Sequence, residues 1–87
     1  MKKKKLLEVL IKRRGMRKID ACVLMGVSRH YFNHILNNLN SIEYVHISAL
    51  SELLDLPITT IIYIVKGDDD FTKKQVDEII DIVKPIK

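Results

Sequence analysis

Apolar residues in this chain recur three and four positions apart, and nowhere do apolar and polar residues alternate for long enough to make a half-buried strand. Leu6, Leu7, Leu10 and Ile11 set the pattern, and Val76, Ile79, Ile80 and Val83 repeat it near the other end. The expected class is therefore all-α. Glycines at 15, 26 and 67 punctuate the 87 residues, and the helices expected between them are too short to be stable in isolation. The segments must pack on one another, and a chain of this length has room for one small core.

Local signals set the expected limits. The first helix runs from about Leu6 and ends near Gly15, which suits a left-handed terminus. A second spans Lys18 to Met25 with Ala21, Cys22 and Met25 inward, and Gly26 permits the tight turn after it. Ser28 caps a third helix to about Asn37, with Asn38 ending it in the left-handed conformation. Ser41 is expected to cap a fourth, Ile42 to Leu54, with Val45, Ala49, Leu50, Leu53 and Leu54 inward. Pro57 opens a fifth, Ile58 to about Lys66, whose β-branched residues would also suit a strand, although nothing else in the chain offers it a partner. Thr72 and Gln75 form a capping box, and Phe71 with Val76 a hydrophobic staple, at the head of a sixth amphipathic helix from Lys73 to about Val83.

Charge is distributed unevenly. Residues 1–34 hold ten Lys and Arg against Glu8 and Asp20, a balance of +8, whereas residues 35–87 hold five against nine acids, a balance of −4. Such polarity is the footprint of a face that meets a polyanion. Cys22 is the only cysteine, so no internal disulfide forms, which favours a reducing compartment. Met1 to Lys5 resembles the charged start of a signal peptide, but Glu8, Lys12, Arg13 and Arg14 interrupt the apolar run behind it. No run reaches the roughly 18 apolar residues of a membrane span. A soluble, cytoplasmic protein is expected, with no membrane partner.

Enzyme chemistry finds no foothold. There is no Gly-rich phosphate loop, no nucleophile with a partner base and no carboxylate pair placed for hydrolysis, so neither catalysis, nor a cofactor, nor a small-molecule substrate is expected. His30 and His34 have the i, i+4 spacing of a metal pair, but no third ligand is evident and no metal is expected. Asp68, Asp69 and Asp70 lack the spacing of a calcium loop and read as an acidic linker before a helix. Tyr31 reads as half-buried, and Cys22 as a small core residue.

Residues 18 to 37 form helix, glycine turn, helix. Cys22 is small enough for the crossing, and Phe32 and Ile35 anchor the back of the second helix of the pair. In Met25-Gly26-Val27-Ser28-Arg29, and in the downstream Leu50-Ser51-Glu52-Leu53-Leu54-Asp55-Leu56-Pro57-Ile58, the chain resembles the Cro/CI-type helix-turn-helix family, also called XRE, of phage and bacterial regulators. The likeness covers residues 6–67. It implies a five-helix lambda-repressor-like domain, to which residues 68–87 add the acidic linker and the sixth helix. Lys18 departs from the family's glutamine, Asp55 from its helix-ending glycine, and Ile11 with Leu36 from its frequent buried Arg–Glu pair. The last swap removes both charges together and strands neither.

The resemblance implies a sequence-specific double-stranded DNA-binding regulator, a phage or mobile-element repressor or Cro-like switch, with its third helix in the major groove. Carried over by position, Arg29, His30, Asn33 and His34 read bases, and Arg17, Lys18, Ser28 and Asn37 meet phosphates. Lys2, Lys3, Lys4 and Lys5 form either a basic arm on the DNA backbone or a solubilising tail. A two-fold operator calls for a homodimer, expected through Ile62, Val76, Ile79, Ile80 and Val83 of the fifth and sixth helices. The competing expectation is a protein-interaction module, of antirepressor or antitoxin type, that keeps the scaffold and uses its apolar surface on a partner.

Overall fold

The computed structural model describes residues 1–86, so Lys87, the last residue of the expected C-terminal segment, lies outside the described residues. The described residues are all-helical: α1 (Lys3–Arg13), α2 (Lys18–Met25), α3 (Arg29–Asn37), a 3₁₀ turn (Leu39–Ser41), α4 (Tyr44–Leu54), α5 (Ile58–Lys66) and α6 (Lys73–Ile82). One antiparallel bridge, pairing Lys2 with Asp70, is the only β-structure among them. α1 lies against α2, α4 and α6, and α4 lies between α2 and α5. One core results, in which Leu6, Leu7, Leu10, Phe32, Leu36, Leu50, Leu54, Ile61, Ile64 and Val83 are all buried. Ile11 and Leu36 are both part of it.

Several termini form as the sequence predicts. Gly15 and Gly26 sit at φ +91° and +70°, and the Gly26 and Val27 amides return to Val23 and Cys22 to close α2. Thr72 Oγ1 accepts the Gln75 amide while Gln75 Oε1 accepts the Thr72 amide, so the capping box of α6 is complete. Asp55 takes φ +54° at the end of α4, the conformation for which a glycine is usual.

Other expectations fail for identifiable reasons. Ser41 does not cap α4. Burial of both Leu39 and Ile42 draws the chain into the 3₁₀ turn, and α4 starts two residues later than expected, behind Glu43, which makes no side-chain cap. The inward face of α4 is Ile47, Leu50, Leu53 and Leu54, with Ala49 half-buried. Val45, two residues before Ile47, points to the opposite side and is exposed. Asn38 does not end α3 in the left-handed region; its backbone lies at φ −132°, and its side-chain amide donates to the His34 carbonyl instead.

The basic start of the chain is no free arm. α1 begins at Lys3, the Phe71 amide donates to the Met1 carbonyl at 2.9 Å, and the Lys3 amide donates to the Asp69 carbonyl at 3.2 Å. Lys3 is only 6% exposed. Its Nζ donates to Asn40 Oδ1 at 2.6 Å, to the Val65 carbonyl at 2.8 Å and to the Gly67 carbonyl at 3.5 Å. The ammonium thus closes the C-terminus of α5, where orphan carbonyls and the helix dipole both favour a cation. Gly67 has no left-handed role there, but a Cβ on it would come within 2.6 Å of the Tyr63 carbonyl oxygen, so only glycine fits.

No single described helix is long and apolar enough to cross a membrane, and the apolar pair α4 and α5 is bent by 118°.

Candidate nucleic-acid interface

α3 is set by its two ends and its buried back. The Gly26 turn reverses the chain, Ser28 Oγ accepts the Tyr31 amide at 3.0 Å, and helical backbone starts at Arg29. Phe32, Ile35 and Leu36 are buried on the core side. With those three fixed, the helical period turns Arg29, His30, Asn33, His34 and Asn37 outward together, and all five are exposed. No acid occurs anywhere in α3. Among the described residues Arg29, His30 and Asn33 make no side-chain hydrogen bond, so their donors and acceptors face solvent.

The residues assigned to phosphates are all engaged within the chain. Arg17 pairs with Asp20 across one turn, Nε to Oδ2 at 3.2 Å, and the same carboxylate accepts the Arg17 amide at 2.9 Å. Hydrogen bonding to Arg17 holds the Asp20 carboxyl below the ordinary carboxylate range, and Asp20 in turn raises the guanidinium. Lys18 Nζ lies 3.2 Å from Glu8 Oε2, Ser28 is occupied as a cap, and Asn37 Oδ1 accepts Lys4 Nζ at 2.7 Å. Exposed pairs of this kind contribute little to stability and exchange readily for another anion.

Cations gather at two open grooves. One, of about 380 Å³ between α1 and the start of α2, is rimmed by Lys5, Lys12, Arg17 and Lys18 with one acid, Glu8, and has Val9 and Met16 in its lining. The other, of about 520 Å³, runs past the C-terminus of α3 and is lined by Lys2, Lys4, Asn37, Asn40 and Ser41, with Asp69 as its one acid. Of the four N-terminal lysines, Lys3 is therefore spent on α5, Lys2 bridges Asp69 and Asp70, Lys4 holds Asn37, and Lys5 borders the first groove. Asn40 and Ser41 were not expected in such a place, because their position depends on the 3₁₀ turn rather than on any local pattern.

The remaining candidates separate clearly. His30 and His34 meet no third ligand: among the described residues no group of three His, Cys, Asp or Glu could hold a metal, and Cys22 is buried. The Tyr31 ring stacks on His34 at 5.9 Å and meets His46 edge-on at 5.6 Å. Of the residues assigned to self-association, Val76, Ile79 and Val83 are already buried within this chain, where α6 lies on α1. Ile80 is half-buried, and Ile62 remains 40% exposed. The apolar stripe of α6 is thus covered within the chain at Val76, Ile79 and Val83, and in part at Ile80. No protein-family model matches the chain, and no curated protein or solved structure matches it either.

Proposed function

We propose that this protein binds duplex DNA sequence-specifically and regulates transcription, with α2 and α3 acting as a lambda-repressor-like helix-turn-helix. The observation that carries the reading is the outward face of α3. It combines Arg29, His30, Asn33 and His34 without an acid, on a helix anchored from behind by Phe32, Ile35 and Leu36. An α-helix fits the major groove, where a guanidinium matches guanine O6 and N7 and an amide matches adenine N6 and N7. Arg29 and Asn33 carry those two groups. The lysine-bordered grooves at the start of α2 and the end of α3 suit the phosphates on either side. A homodimer on a two-fold operator completes the proposal.

A second reading, a protein-interaction module, is favoured by a different surface. Val23, Leu24, Tyr44 and Val45 are 73%, 67%, 65% and 63% exposed, on the adjoining helices α2 and α4. Apolar surface of this kind often marks contact with another protein.

Selection of bound sites from a random duplex library, repeated with Arg29→Ala and Asn33→Ala, tests the first reading. A recurring motif that loses one defined base preference with each substitution is expected. Recovery of no motif by the unaltered protein would overturn it and leave the interaction module.

A further inference from the structure

Asn38 lies one turn beyond His34, and its side-chain nitrogen touches that residue twice. Nδ2 donates to the His34 carbonyl at 2.8 Å and lies 3.4 Å from His34 Nδ1. The first contact decides which way the amide faces. Its carbonyl oxygen in that place would meet the His34 carbonyl lone pair to lone pair, whereas the NH₂ group has two protons and can serve both partners. The second contact then decides the ring. An NH₂ group has nothing to accept with, so the contact favours an unprotonated His34 Nδ1, with the proton of the neutral imidazole on Nε2. Stacking against Tyr31, which is itself met edge-on by His46, holds the plane of the ring. Nε2 makes no hydrogen bond among the described residues, and the side chain is exposed.

We infer that Asn38 is a positioning residue that holds neutral His34 as an Nε2–H donor, so that His34 selects a hydrogen-bond acceptor on whatever it meets. The consequence for DNA rests on the function proposed above. In the major groove His34 then favours guanine N7 or O6, adenine N7 or thymine O4, and rejects the amino groups of cytosine and adenine. Asn38 itself need not touch the DNA.

The tautomer is read in the free protein, by long-range nitrogen–proton correlation of the imidazole rings at a pH where His34 is neutral. The expected result is an unprotonated Nδ1 and a protonated Nε2 at His34. Asn38→Asp, which has no donor for either the His34 carbonyl or Nδ1, is expected to lower the share of the Nε2–H tautomer. Asn38→Ala is expected to leave a mixture. A protonated Nδ1 in the unaltered protein, or an Asn38→Asp ring that stays as it was, would overturn the inference whether or not DNA is bound. Site selection supplies the second readout. Asn38→Asp should change the preference at one base pair, the same one relaxed by His34→Ala, and should change nothing further when His34 is already alanine. A change at a different base pair, or an additive one, would also overturn it. Failure of the DNA reading would appear separately, as absence of any selected motif while the tautomer result stands.

Discussion

Asp55 shows at a single residue how a departure from a familiar pattern leaves the fold intact. It ends α4 at φ +54°, a region in which a side chain costs energy and from which Asp and Asn suffer least. The sequence marked the position only through the family resemblance, in which Asp55 stands where a helix-ending glycine is usual. Asp55→Gly removes the strain, and among the described residues the Asp55 side chain makes no hydrogen bond or ion pair that would be lost with it. Unfolding in urea is expected to show a gain of about 1 kcal/mol, and a loss would mean that the Asp55 carboxylate has a role outside the backbone. The outward residues of α3 were legible for a different reason. With Phe32 and Ile35 as anchors, the helical period leaves Arg29, His30, Asn33 and His34 on the other side, and all four are exposed.

Among the elements, legibility depended on whether the signal was local. α2 runs from Lys18 to Met25 as the sequence predicts, since the Gly26 turn and the Ser28 cap act within a few residues of where they stand. α4 does not start where Ser41 predicts, because burial of Leu39 and Ile42 is a tertiary demand that outweighs one capping hydroxyl. The N-terminal lysines misled most. A run of four cations reads as a solvated arm, yet Lys3 is buried as the cap of α5, more than sixty residues away. Lys3→Met keeps the length of the side chain but leaves the Val65 carbonyl and Asn40 Oδ1 without their donor. A loss of about 1–3 kcal/mol is expected in the same urea experiment, with hydrogen exchange rising first in the last turn of α5. An unchanged midpoint would assign those carbonyls another partner.

Across the whole molecule, α6 is part of the core. The stripe that reads as a dimer face instead buries Val76, Ile79 and Val83, with Phe71, in the chain's own interior. Amphipathic periodicity tells which face of a helix is covered and not by which chain, so the sequence could not distinguish the two. A chain ending at Gly67 is therefore expected to lose on the order of 5 kcal/mol, comparable to the whole stability of a small domain, and to show no cooperative thermal transition. A folded 1–67 fragment would show that α6 is an accessory. With α6 engaged on α1, the polar surfaces that suit a nucleic acid are the uncommitted face of α3 and the two lysine-bordered grooves, apart from the exposed apolar residues of α2 and α4. The most direct test of that reading is the ratio of affinities for a selected and a scrambled duplex, measured by fluorescence anisotropy over a range of salt concentrations. A sequence reader should prefer the selected duplex by about a thousandfold or more, should weaken on both duplexes as salt rises, and should lose about 1–3 kcal/mol of that preference in Arg29→Ala. Equal affinity for the two duplexes, or a preference untouched by Arg29→Ala, would contradict the assignment of α3 as the reading helix.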